Sequence, residues 1–245
     1  MKILCSTPDT RASELSLRTG LPITSSIAPN ELVLVYEQTG LELRNSEDKP
    51  GTGVKVETKW LRHAMKRGLE HLRGDPLARA LNAGNAKLTV IDATAGLGGD
   101  SLLFAALGHQ VTAIERNIAV WALLDDGLQM LRSDPELSEI AARITLHLAD
   151  ARDYITQNKT SPDVIYIDPM FPPKRRASAL PPLELQRLRS VVGEDLDAAG
   201  LLEVARAHAT HRVVVKRPND GKPLADGVLG SHQGKTVHYD IYRKG

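Results

Sequence analysis

Val164-Ile165-Tyr166-Ile167-Asp168-Pro169-Met170-Phe171-Pro172-Pro173-Lys174 is the stretch on which the reading of this chain turns. It opens with a short apolar, β-favouring run of the kind buried in a parallel sheet, then stops at an acid and a proline that fixes a turn. A strand of this kind delivers a carboxylate to the C-terminal edge of an open α/β sheet, where such folds bind ligands. Taken alone, the same pattern equally describes an ordinary loop after a strand.

Its neighbours favour a site. Leu88-Thr89-Val90-Ile91-Asp92 is another apolar run ending in an acid, followed by Ala93-Thr94-Ala95-Gly96-Leu97-Gly98-Gly99-Asp100 and a helical stretch from Ser101 to Leu107 with Gly108 as its C-cap. Strand, glycine-rich turn and helix in that order let the backbone approach a ligand and present unpaired N–H groups at a helix N-terminus. Gln110 to Glu115 forms a third strand, and Glu115 falls at the spacing where nucleotide-binding folds set a carboxylate on a ribose diol. Ile144 to Ala149 alternates and again ends at an acid, Asp150. The turn is G-x-G-G rather than G-x-G-x-x-G, and by itself serves strand–helix packing as well as a cofactor. Asp92, Glu115, Asp150 and Asp168 in succession are expected to line one rim of a parallel sheet and to serve a nucleoside-bearing cofactor.

In these motifs the chain resembles the class I S-adenosylmethionine-dependent methyltransferases, and most closely the bacterial 16S ribosomal RNA guanine-N2 methyltransferase J family. The resemblance is carried by Asp92 to Gly98, Glu115-Arg116-Asn117, Leu123-Leu124-Asp125-Asp126-Gly127-Leu128, Asp168 to Pro172 and Val213-Val214-Val215-Lys216-Arg217-Pro218, and it weakens toward the N-terminus. It implies a Rossmann-like α/β fold with a mostly parallel seven-stranded sheet, and S-adenosyl-L-methionine as the cofactor. It further implies that Gly96, Gly98, Gly99 and Asp100 cradle the methionine portion, that Glu115 and Arg116 meet the ribose, and that Asp150 and Ala151 flank the adenine. Asp168 would face both the methyl donor and the target base.

The chemistry of the Asp168 turn agrees with this. An exocyclic amine is a poor nucleophile because its lone pair is delocalised into the ring. Hydrogen bonds from the amine to the Asp168 carboxylate and to the Pro169 or Met170 carbonyl would hold that lone pair toward a methyl group. Phe171 is placed to stack on a base taken out of its neighbours' stack; a Phe folded back into the core is the plainer alternative.

A formal net charge of +1 gives no general attraction to nucleic acid, so RNA binding requires a local patch. Lys174-Arg175-Arg176 follows the turn and Lys216-Arg217 follows an apolar strand toward the same sheet end; both are expected to meet RNA phosphates. The run Lys174-Arg175-Arg176 is otherwise a solvated loop. The partner that the family resemblance implies is small-subunit ribosomal RNA or the 30S particle.

At 245 residues with 42% hydrophobic content the chain can bury one substantial core and a small accessory lobe. No apolar run reaches membrane-spanning length and no leader is evident, so a cytoplasmic enzyme is expected. The single cysteine, Cys5, excludes a disulfide framework, and the histidines lack metal-ligand spacing, so no metal is assigned.

Residues 1–53 mix turns with short β-like runs and predict a small β-rich lobe; residues 54–245 form the Rossmann-like domain. Trp60 to Leu72 is expected to be one amphipathic helix with Leu61, Met65, Leu69 and Leu72 on a face. Residues 219–234 are expected to be a loop, and Thr236 to Tyr242 an edge strand. Two other functions compete with methyl transfer: a nucleotide-dependent oxidoreductase, which leaves the Asp168 turn without a role, and an RNA-binding ribosome-assembly factor that does not catalyse.

Overall fold

The computed structural model describes residues 1–5, 9–82, 84, 86–158, 161–170, 183–192 and 197–245. The chain begins with β1 (Ile3–Leu4), α1 (Thr10–Thr19), β2 (Ile23–Thr24), β3 (Leu32–Glu37) and β4 (Gly40–Asn45). These strands form a four-stranded sheet in the order β2-β1-β3-β4, in which only the β3–β4 hairpin is antiparallel. The β-rich lobe is present, and it carries a helix that the turn-rich sequence did not announce. Asp9 caps α1 by accepting from the N–H groups of Arg11 and Ala12, and Gly20 ends it at φ 72°.

Three short helices follow, α2 (Lys59–Arg67), α3 (Leu69–Arg73) and α4 (Pro76–Leu81). The expected single helix over residues 60–72 is therefore two. Gly68 breaks it at φ 89°, ψ 160°, outside any helical region. Leu61 and Leu72 are buried as expected, whereas Met65 is exposed.

The Rossmann-like part runs β5 (Thr89–Asp92), α5 (Gly99–Ala106), β6 (Gln110–Glu115), α6 (Ile118–Arg132), α7 (Ser138–Ala141), β7 (Ile144–Leu148), α8 (Ala151–Gln157), β8 (Val164–Ile167), α9 (Leu183–Val192), α10 (Ala198–His208), β9 (Arg212–Pro218), β10 (Val228–Gln233) and β11 (Val237–Arg243). Its seven strands lie in the order β10-β11-β9-β8-β5-β6-β7. From β9 to β7 all pairings are parallel, and β11 runs antiparallel to both β9 and β10. Two expectations need correction here. Val237–Arg243 is not the edge, because Val228–Gln233, expected to be loop, pairs outside it as the edge strand. Its glycine-bearing sequence hides the strand because an exposed edge has no apolar alternation to show.

β8 is central and its four residues are buried, each apolar side chain stabilising the fold by about 1.5–3 kcal/mol. Alternation divides the sheet's contacts. Val90, Val164, Tyr166, Val214 and Tyr239 pack under α2–α5, while Ile91, Ile165, Ile167, Val213 and Val215 pack under α8 and α10. The N-terminal lobe shares a third core with α6, in which Leu34, Leu41 and Leu43 meet Trp121, Ala122 and Leu123. The Leu123-to-Leu128 motif thus sits where the lobe docks. Asp125 accepts from both terminal nitrogens of the Arg18 guanidinium at 2.6 and 2.9 Å, and Asp126 accepts the Leu41 N–H at 2.7 Å.

Candidate active site

The parallel strands end together, and the loops after β5, β6, β7 and β8 enclose a cavity of about 310 Å³. Each wall follows from local sequence.

After β5 the chain turns through Gly96 (φ 54°) and Gly98 (φ 79°) into α5. A Cβ on Gly98 would stand 2.4 Å from Leu124 Cδ1, so this residue lets the loop lie against α6; no atom lies within 4 Å of a Cβ built on Gly99. Asp92 does not reach the cavity. It is 1% exposed and pins the loop from behind, accepting from Ser101 Oγ at 2.5 Å and from the Thr94 N–H at 3.3 Å. Burial pushes its carboxyl up to about 7, against the pull of the Ser101 hydrogen bond.

Asp168, directly after β8, is the hub of the opposite wall. Its N–H donates to Thr94 Oγ1 at 2.6 Å, and its Oδ2 accepts from Lys216 Nζ at 2.9 Å. Lys216 also donates to Asp100 Oδ2 at 3.0 Å, and the buried Tyr166 hydroxyl donates to the same oxygen at 2.6 Å. Register explains the convergence. Asp92, Tyr166 and Val214 stand side by side, so Asp168 and Lys216, each two residues on, emerge from the same face. Burial disfavours the Lys216 charge, but Asp168 and Asp100 outweigh it and hold the ammonium well above the ordinary lysine range. Burial, here acting in the raising direction, and the neighbouring Asp100 push the Tyr166 phenol well above its ordinary value.

The third wall presents Glu115, 7% exposed, whose Oε2 accepts the Gly96 N–H at 3.0 Å and whose Oε1 accepts the Asn117 N–H at 2.7 Å. The carboxylate thereby fixes the glycine loop while keeping acceptor capacity toward the cavity. Asp150 caps α8 through the Arg152 N–H at 2.9 Å, and its side-chain hydrogen bond from Arg152 holds it below the usual carboxylate range. Asp197 joins Arg116 and Arg152 at 3.1 and 2.9 Å, closing a charged rim. Ile114, Val120, Ala151 and Leu201 supply apolar surface between these groups.

This arrangement fits a nucleoside carrying a charged tail. An acid faces where a diol would lie, a flat apolar slot precedes Asp150, and the glycine turn with Asp100 frames the far end. The structure gathers Gly96, Gly99, Asp100, Glu115, Arg116, Asp150, Ala151, Asp168 and Pro169 around one cavity, with Gly98 in the supporting turn. Lys216 is brought in with them, so it faces the cavity instead of standing outward beside RNA phosphates. Arg217 emerges from the other face of β9, in the field of Asp240. Phe171, Lys174, Arg175 and Arg176 lie outside the described residues.

Four contributors escaped sequence reading: Thr94, Tyr166, Arg152 and Asp197. Thr94 sits inside the glycine turn and Tyr166 inside the decisive strand, where each looked like filler. Asp197 meets Arg116 only through folding, and no spacing signal links residues so far apart.

The family model described as "Putative SAM-dependent methyltransferase" matches residues 16–244. A ribosomal RNA small subunit methyltransferase J from Thioalkalivibrio sulfidiphilus is 41% identical over 241 residues, spanning 96% of this chain and 93% of that protein. The protein of the same name from Pseudomonas paraeruginosa is 41% identical over 231 residues, spanning 93% and 87%. The crystal structure of a SAM-dependent methyltransferase from Neisseria gonorrhoeae matches with a TM-score of 0.75 at 31% identity, covering 99% of this chain and 95% of that one.

Proposed function

Because this chain belongs to the ribosomal RNA small subunit methyltransferase J family of S-adenosylmethionine-dependent methyltransferases, we propose that it methylates the exocyclic N2 amine of a guanosine in 16S ribosomal RNA. The observation that carries this reading is the Asp168 carboxylate, held by Lys216 at the junction of the nucleoside cavity and the Pro169-Met170 turn. We place the reaction in the cytoplasm, with its substrate.

S-adenosylmethionine, when bound, supplies a methyl group activated by a sulfonium. The chain's own residues do the rest. Glu115 and Arg116 take the ribose end, Asp150 and Ala151 flank the adenine, and Gly96, Gly98, Gly99 and Asp100 frame the methionine end. Asp168 accepts one amine hydrogen and the Pro169 or Met170 carbonyl accepts the other. The amine is thereby turned so that its lone pair leaves the base plane, and catalysis consists mainly of that positioning. Thr94 fixes the Asp168 backbone and Lys216 fixes its carboxylate, so the acceptor does not have to be ordered when the base arrives. Asp168 and Asp100 hold Lys216 as an ammonium, which assigns it to positioning and not to proton removal. Phe171 stacks on the flipped guanine, and Lys174-Arg175-Arg176 meet the backbone phosphates.

Transfer of labelled methyl from S-adenosylmethionine to small subunits from a strain lacking this gene, followed by digestion and nucleoside mass spectrometry, tests the reading. N2-methylguanosine is the expected product. Label on adenosine or cytidine would overturn the base assignment, and no label with the cofactor bound would favour an RNA-binding assembly factor.

A further inference from the structure

Outside the cofactor cavity, a second cleft opens between Trp60, His63, Arg67 and His71 on one side and Gly99 and Asp100 on the other. Asp100 also lines the cofactor cavity, and from it only the Lys216 ammonium intervenes before Asp168. The cleft therefore leads to the target side of the reaction centre, on the sheet face from which Asp168 and Lys216 emerge.

Its outer wall is α2. Trp60, His63 and Arg67 recur at helical spacing on one stripe, and Leu61 and Ala64 on the adjoining stripe are buried, Ala64 forming the floor of the cleft beside them. From Thr58 to Leu69 the chain holds Lys59, Arg62, His63, Lys66 and Arg67 and no acid. Arg62 is turned away toward Asp134 and Glu136, and Lys59, Lys66 and Arg67 are exposed. Of the flanking acids, Glu70 takes Arg73 at 2.7 Å and Asp75 caps α4, while Glu57 stands just before the run. Trp60 is 37% exposed, whereas the other tryptophan, Trp121, is 7% exposed in the lobe core. A large aromatic ring left in water beside a run of cations matches the combination that single-stranded nucleic acid requires, a stacking surface plus a phosphate track.

We propose that this cleft binds the RNA strand flanking the target nucleotide, with Trp60 stacking on an unpaired neighbouring base and Arg67 contacting its phosphates. This rests on the RNA-methylating reading above and adds a binding surface distinct from residues 174–176. Binding there sets the strand so that the flipped base falls into the Asp168 pocket.

The test is steady-state methylation of small subunits by the full chain and its Trp60→Ala, Trp60→Phe and Arg67→Glu variants over a range of salt, with binding of S-adenosylhomocysteine measured in parallel. Trp60→Ala should lower kcat/KM roughly 5- to 100-fold, mainly through KM, and Trp60→Phe should restore most of it. Arg67→Glu should weaken RNA use and flatten its salt dependence, since fewer phosphates are neutralised. S-adenosylhomocysteine affinity should not change. Arg79→Glu, at the opposite end of the sheet, should match the unmodified chain. The cleft assignment is overturned if Trp60→Ala and Arg67→Glu keep kcat/KM within about twofold at every salt concentration, or if they lose nucleoside affinity in proportion. Failure of the unmodified chain to methylate any RNA overturns the underlying reading, and the cleft with it.

Discussion

The Lys216 ammonium lies 2.9 Å from Asp168 and 3.0 Å from Asp100, so one cation joins the carboxylate that ends β8 to the one in the first turn of α5. A lysine on a strand adjacent to the decisive one thereby makes two walls of the site a single unit.

Replacing Lys216 by Met leaves two part-buried carboxylates facing each other. With a quarter of the lysine side chain exposed, the destabilisation is expected to be about 1–3 kcal/mol, below the range for a fully buried pair. Methyl transfer should fall by more than tenfold because Asp168 loses its orientation. Thermal unfolding and single-turnover rates of the variant check both. An unchanged rate would remove Lys216 from the positioning of Asp168.

Asp168→Ala should abolish methyl transfer while leaving S-adenosylhomocysteine binding measurable, since the contacts proposed for the cofactor at Glu115 and Asp150 are untouched. Phe171→Ala should raise the RNA concentration required or lower the rate severely. Calorimetric titration alongside the methylation assay separates binding from chemistry. Full activity in either variant would take that residue out of the mechanism.

Asp92 gives a pH prediction with a definite sign. Its carboxyl is raised from the ordinary 3.8 to about 7, so the native chain holds a proton that the unfolded chain releases. The contribution is therefore full at low pH, falls as pH rises from about 4 to 7, and is flat beyond. Asp92→Asn has no such titration, so its stability relative to the unmodified chain should rise across that window by on the order of a few kcal/mol. Urea unfolding at several pH values reads the difference; a gap that does not change with pH would place the Asp92 titration elsewhere.

Gly98→Ala sets a Cβ against Leu124 at a φ of 79°, and a cost of about 1–3 kcal/mol is expected, with weaker nucleoside binding as the loop is pushed off α6. The same substitution at Gly99, where no neighbour lies within 4 Å, should be far milder. Paired denaturation and titration experiments would expose any failure of that contrast.

Asp126→Ala orphans the Leu41 N–H at the junction of the N-terminal lobe with α6, which should cost about 1–3 kcal/mol. Chemical denaturation checks the magnitude, and hydrogen exchange should show β4 as the region loosened.

The order of strand, glycine turn, helix and strand-end acid was legible in the chain because each is a local signal: an apolar run four to six residues long, a break in it, and a charge where burial ends. The same signals also marked Asp168, Glu115, Asp150 and the glycine turn as the residues to gather, and the parallel sheet did gather them. The tertiary structure alone decided what stands behind and between them. Asp92 looked like the other strand-end acids, yet the packing of α5 over β5 buried it and left Glu115 and Asp150 at the cavity. Lys216 looked like half of a basic pair, yet the pleat of β9 sent it to Asp168 and Arg217 to the opposite face. Thr94, Tyr166 and Asp197 became partners of residues tens of positions away, as only strand register and helix packing can bring about. Local patterns record which residues end a strand, but which of those ends face one another depends on sheet order and register, and these are set by burial over the whole chain.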